Sequence, residues 1–175
     1  KEKVERKFDY TKFEMKCVLG SGSFGVVVLA EYKDAAHDNE VSRFALKLLS
    51  KCDVMETGQL RHVLDERKLL SLMDSPFILK MYGTYQTPHR LVVVTEVLEC
   101  GDLWSIIYEI PEHYDNRGLM KEVASFYSAS LILALAHVHE NGIVFRDLKP
   151  ENVMLDSNGY IRIIDYATVP SIWGE

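Results

Sequence analysis

Lys47 stands inside an apolar run, Phe44-Ala45-Leu46-Lys47-Leu48-Leu49. The run reads as a strand, and an ammonium group in such a place is costly unless its charge is paired. An edge strand that lets the lysine reach solvent is one resolution. A carboxylate brought onto the same strand is the other. Residues 59–73 show a helical period, with Val63, Leu70 and Met73 on one face and Leu69 alongside. Ser75-Pro76 stops that helix. Glu66 lies on the same face, between Val63 and Leu70 at helical spacing, and it too needs a partner. The two charges resolve each other if the helix packs on the strand. Leaving one of them buried alone would cost roughly 3–5 kcal/mol. Asp65 and Arg67 turn to the solvated side of the helix.

The rest of the chain fits around that pair. Residues 1–12 are charged and read as a lead-in. From 13 to 49 the chain is β-like, with Val26-Val27-Val28-Leu29 as a second apolar run and the polar stretch 33–42 as a surface loop. Two more strands are predicted near 78–85 and 91–97, joined by Thr87-Pro88-His89-Arg90. After Gly101 the pattern becomes helical, first over 103–109 and then over 121–140, where Asn141-Gly142 ends it. Short strands at 153–155 and 161–164 flank Asp156-Ser157-Asn158-Gly159, a hairpin signal. A small β-rich part followed by a helical part predicts an α+β fold with a hinge near 96–101. Clefts at such junctions commonly hold ligands.

Three further motifs carry chemistry. Gly20-Ser21-Gly22-Ser23-Phe24-Gly25 offers N–H donors to a closely approaching phosphate. In a dinucleotide-binding fold such glycines open a helix. Here a strand follows, which favours a strand–loop–strand phosphate cover. The octapeptide Phe145-Arg146-Asp147-Leu148-Lys149-Pro150-Glu151-Asn152 is dense in ionisable and amide groups, and Pro150 rules out a regular helix. Asp165 ends the run Ile161-Arg162-Ile163-Ile164. With Asn152 it offers oxygen ligands that suit a hard cation such as magnesium.

In this order and spacing, over about residues 13–169, the motifs resemble the protein kinase superfamily. The form FRDLKPEN is similar to that of the AGC group. Gly101-Asp102-Leu103-Trp104-Ser105-Ile106-Ile107 looks like the corresponding helix start of cGMP-dependent protein kinases. The resemblance implies a bilobal kinase-like fold. A five-stranded antiparallel N-lobe sheet with one helix spans 13–98. The first part of a helical C-lobe spans 99–169, and 170–175 form the end of the piece.

The resemblance also implies roles. Leu19 to Val27, including Gly20, Ser21, Gly22, Ser23, Phe24, Gly25 and Val26, would cover the ATP phosphates. Lys47, positioned by Glu66, would hold two of those phosphates. Val27 and Ala45 would sandwich adenine, Thr95 would be the gatekeeper, and the backbone from Glu96 to Leu98 would meet the adenine edge. Met154 belongs to the same nucleotide-contacting set. Asp147 would orient and deprotonate an acceptor hydroxyl, Lys149 would neutralise the transferred phosphoryl group, and Asn152 with Asp165 would hold Mg2+. Lys149 favours serine or threonine over tyrosine as acceptor. Asp102 and Glu151 match positions that receive substrate arginines, which implies protein substrates with serine or threonine near basic residues. His139 is expected to be scaffold. A regulatory domain or subunit outside this chain, as in cyclic-nucleotide-type signalling, is a further expectation.

Two departures bear on activity. Asp165 is followed by Tyr166-Ala167 where the family has Phe-Gly. Tyrosine keeps the ring that would stack with Met81, Leu70 and Phe145, while Ala167 removes backbone freedom. The sequence also lacks an initiator Met and stops at Glu175. That predicts a longer natural protein, and a piece that is inactive or aggregation-prone alone because Phe126, Leu131, Leu133 and Leu135 want covering. A nucleotide-binding pseudokinase or inactive fragment acting as scaffold is therefore the alternative. The formal net charge of −6 argues against nucleic acid and anionic membranes. No apolar run approaches the roughly 20 residues of a membrane span. The three cysteines, Cys17, Cys52 and Cys100, have no metal-ligand spacing and read as reduced thiols of a cytoplasmic protein.

Overall fold

The computed structural model describes residues 8–22, 25–33, 41–109 and 118–165. The chain divides into two compact units. The first comprises the residues up to Leu72 together with Lys80–Val97, and the second Met73–Leu79 with the residues from Leu98 onward.

The first unit is an antiparallel sheet of β1 (Phe13–Gly22), β2 (Gly25–Lys33), β3 (Val41–Ser50), β4 (Met81–Gln86) and β5 (Arg90–Thr95), in the order β1-β2-β3-β5-β4. The strand period of two sorts β3 into two faces. Phe44, Leu46 and Leu48 enter a core with Val28, Ala30, Tyr32, Val92 and Val94. Phe8, Phe13, Tyr82 and Tyr85 cover that core, and the Phe8 ring centroid lies 5.3 Å from those of Phe13, Tyr32 and Phe44. The alternate residues Ala45, Lys47 and Leu49 face the other way. Cross-strand register puts Val27 and Val93 beside Lys47, and Leu29 and Thr95 beside Ala45.

Helix α2 (Leu60–Leu72) matches the periodic segment, with Leu69 and Leu70 buried. A second helix, α1 (Lys51–Glu56), precedes it where only one helix was expected. Ser50 starts α1 by accepting a hydrogen bond from Asp53 N at 3.3 Å, and Val54 anchors it. Asp65 is paired within α2 to Arg61, one turn earlier, at 3.0 Å.

The second unit contains α3 (Leu103–Tyr108), α4 (Lys121–Glu140) and the two-stranded sheet of β6 (Val153–Leu155) and β7 (Ile161–Ile163). The expected strand at 78 begins only at Met81. Ile78 instead bridges Ile163 in parallel, Leu79 N donates to Ile163 O, and Ile163 N donates to Phe77 O. The backbone of 77–79 therefore extends β7. Leu103, Val153, Leu155 and Ile161 form the core here. The hairpin turn is held by Asp156, whose Oδ1 accepts from Asn158 N and Tyr160 N and whose Oδ2 meets Arg162 at 3.0 Å. On α4, Ser130, Ala134 and Val138 are buried, while Phe126 and Leu133 are 45% and 56% exposed. No helix of the described residues is long and apolar enough to cross a membrane.

Candidate active site

The expected site residues fall into two groups, one in each unit. In the first unit the Lys47 ammonium meets Glu66 Oε1 at 2.5 Å, with the side chains 33% and 16% exposed. The strand lysine and the helix carboxylate thus neutralise each other, as their placement in the sequence requires. Val27, Ala45 and Thr95 share the Lys47 face of the sheet through direct register pairs. Thr95 is buried, and its hydroxyl donates to Ala45 O at 3.4 Å and to Glu96 O at 3.2 Å. Val26 pairs with Leu48 and packs against the aromatic-covered core, on the face opposite Val27.

The glycines differ among themselves. β1 runs to Gly22, which pairs with Gly25 across the hairpin. Ser23 and Phe24 lie outside the described residues. A Cβ on Gly25 would collide with the Leu48 carbonyl of β3, so this glycine is required by strand approach. A Cβ on Gly20 or Gly22 would meet nothing within 4 Å. The backbone there is open to a phosphate. Leu19 and Ser21 are exposed on the same strand.

At the end of the first unit, Glu96 N donates to Lys80 O at 3.0 Å, and Glu96 Oε1 accepts from Lys80 N at 2.8 Å. Glu96 is thereby tied down at both ends. Leu98 is buried.

In the second unit, Lys149 Nζ donates to Asp147 Oδ2 at 2.7 Å. Asn152 Nδ2 donates to Asp147 O at 2.9 Å and to Asp147 Oδ2 at 3.0 Å. Pro150 opens a 3-10 turn, Pro150–Asn152, where its fixed φ is already suitable. That turn runs into β6, whose buried Val153 and Leu155 fix Asn152 in place. The Lys149 ammonium, hydrogen-bonded to Asp147, holds that carboxyl below the ordinary carboxylate value, with Asn152 adding to the effect. Asp147 in turn raises Lys149, and Glu151 and Asp165 act in the same direction. Ile164 N donates to Asn152 O at 3.1 Å, which sets Asp165 beside this loop. Tyr166 and Ala167 lie outside the described residues.

The donor set fits a hard cation. With its amide nitrogen committed to Asp147, Asn152 has Oδ1 left as a ligand oxygen, and Asp165 adds a half-buried carboxylate. Among the described residues, the one other cluster with metal-ligand potential is Cys52, Asp53 and Glu56, all exposed. Asp102 caps α3, accepting from Ser105 N at 2.8 Å and from the Ser105 hydroxyl at 3.1 Å. It also bridges Met154. Glu151 is exposed. His139 is exposed, whereas His137, not singled out in the sequence, accepts a hydrogen bond from Asp74 N at 3.3 Å. No sequence signal links these two, since they lie 63 positions apart.

Comparison with known proteins agrees with this geometry. The family described as protein kinase domain matches residues 13–172. The cAMP-dependent protein kinase type 3 of Saccharomyces cerevisiae is 38% identical over 161 residues, covering 91% of this chain and 37% of that protein. The cAMP-dependent protein kinase catalytic subunit of Schizosaccharomyces pombe is 37% identical, over 91% of this chain and 29% of its own length. For the cGMP-dependent protein kinase isozyme 1 of Drosophila melanogaster the identity is 33%, over 98% of this chain and 22% of that protein. The chain thus spans little more than a third, or less, of these relatives. With that match and those relatives, the chain belongs to the protein kinase family, in its AGC branch.

Proposed function

We propose that this chain carries the nucleotide-binding and catalytic-loop portion of a serine/threonine protein kinase, acting on protein hydroxyls in basic contexts within cyclic-nucleotide-type signalling in the cytoplasm. The observation that carries this reading is the arrangement around Asp147. Lys149 and Asn152 both bond Oδ2, and Oδ1 has no hydrogen-bond partner among the described residues. A carboxylate oriented in this way, and held ionised, can accept a proton from an acceptor hydroxyl. Lys149 would meet negative charge arriving at that hydroxyl. Asn152 and Asp165 would hold Mg2+, and Lys47 with the open backbone at Gly20 and Gly22 would hold phosphates. ATP, when bound, supplies the transferred phosphoryl group. The names of the matched relatives support serine/threonine specificity and a regulatory domain or subunit outside this chain.

The test is phosphotransfer to a serine peptide by the full-length natural protein, with Asp147→Asn as control. Transfer that Asp147→Asn lowers by about 10²–10⁴-fold, with nucleotide affinity kept, is the expected result. ATP binding without transfer in the wild-type protein would instead establish a scaffold.

A further inference from the structure

The strip Met73–Leu79 is fixed within the second unit at two places. At its far end the backbone pairs with β7, where Leu79 N donates to Ile163 O and Ile163 N to Phe77 O, each at 3.0 Å. At its near end Asp74 N donates to His137 Nε2 on α4 at 3.3 Å. The first hold is amide to amide and does not titrate. The second ends on an imidazole, the side chain whose charge most readily changes near neutral pH. His137 is half-buried, one residue before the buried Val138. Its own carbonyl accepts from Asn141 Nδ2 at 2.8 Å, so the backbone that carries the ring is set by the end of α4. Asp74 follows Leu72, the last residue of α2, by two positions, and α2 carries Glu66, the partner of Lys47.

We infer that His137 is a positioning residue that holds the strip 73–79 only while its imidazole is neutral. The hold, and the phosphotransfer that depends on α2, therefore weaken as pH falls. The effect on phosphotransfer rests on the function proposed above, whereas the hold itself does not. Nε2 accepts a hydrogen bond only when the ring is neutral and carries its proton on Nδ1. Once protonated, the ring has two N–H donors and no acceptor, and one of those donors faces the Asp74 amide. Among the surrounding elements, Asp74 is the charged residue of the strip, and His139 and Glu140 stand exposed at the end of α4. β7, which packs on α4, carries Arg162, paired with Asp156. The carboxylates of Asp74 and Glu140 are the groups that attract an imidazolium, which draws the ring off the amide. The end of the strip next to α2 is then released, while the end paired with β7 stays in place.

The experiment takes the full-length natural protein from about pH 8 to about pH 5.5. It reads amide hydrogen exchange, corrected for the intrinsic rate, and kcat/KM on a serine peptide. In the wild type, protection of the Asp74 amide falls about ten-fold over that range while Leu79 keeps its protection, and kcat/KM declines about five-fold to a lower plateau. His137→Gln supplies a neutral acceptor in place of Nε2, keeps Asp74 protected and removes the decline. His137→Leu has no acceptor, so Asp74 is unprotected and kcat/KM sits on the lower plateau throughout. Protection at Asp74 that ignores pH in the wild type, or that falls equally in His137→Gln, overturns the inference. Loss at Leu79 together with Asp74 also overturns it, because the fold as a whole would then be yielding. A pH-dependent hold with no decline in kcat/KM overturns the positioning role. Absence of phosphotransfer at every pH is a failure of the kinase reading, and amide exchange then still decides whether His137 holds the strip.

Discussion

At Asp147 one carboxylate oxygen is engaged twice, by Lys149 and by Asn152. The consequence is electrostatic. Lowered from its ordinary value of 3.8, the Asp147 charge is retained as pH falls and is lost only below that value. Lys149, raised from 10.5, keeps its proton to correspondingly higher pH. What this pair contributes is present above the ordinary carboxylate value and below the ordinary lysine value. Asp147 should therefore impose no ionisation on kcat/KM between about pH 5 and 9. An acid limb with a midpoint near about pH 6 that moves when Lys149 is replaced would contradict this. Glu66 gives a different prediction. The Lys47 side chain is a third exposed, so the ion pair adds about 1 kcal/mol or less to stability. On the proposed function, its value would lie in placing the ammonium for phosphate. Glu66→Ala should weaken binding of a non-hydrolysable ATP analogue about ten-fold, or about 1.4 kcal/mol by titration calorimetry. A large loss of thermal stability with unchanged affinity would show that the pair serves the fold instead.

At the scale of elements, the hairpin of β1 and β2 separates two kinds of glycine. Gly25→Ala should force β2 away from β3 at Leu48, at a cost of about 1–3 kcal/mol. A melting point lower by roughly 4 °C or more would register this. Gly20→Ala has space for its methyl group and should leave stability within about 0.5 kcal/mol while nucleotide affinity falls. Equal melting shifts for the two variants would refute the distinction. The sequence shows the glycines but not this difference, which depends on a neighbouring strand. The same limit explains α1. With six residues and only Val54 buried, it is too short to establish a helical period. Ser50 and Asp53 form a capping signal that could have revealed it. By contrast α4 was legible over its whole length, because twenty residues give several turns of pattern and Asn141-Gly142 a clear stop. The Lys47–Glu66 pair was legible for another reason: two misplaced charges had one common resolution.

For the molecule as a whole, the order of the motifs revealed the family, and the five-stranded sheet was expected from that resemblance. What the chain order could not reveal is that neighbours in sequence part company. Met73–Leu79 belongs to the second unit, although α2 before it and β4 after it belong to the first. Local propensity favours a strand at Ile78, yet its backbone pairs with β7, which lies more than eighty residues onward. Such non-local pairing has no local signature. It also decides how the protein can be dissected. A peptide begun at Leu98 would lack the strip that hydrogen-bonds Ile163, leaving an unpaired edge on β7 beside apolar residues. Such a peptide should self-associate in size-exclusion chromatography. Joining residues 73–79 to it through a flexible linker should restore slow amide exchange at Ile163. Equal behaviour of the two peptides would show that the strip is dispensable. A gene split between Val97 and Leu98 would thus yield one product missing a piece of its own sheet, and a workable exchange of parts between related proteins has to carry 73–79 along with the sequence that begins at Leu98.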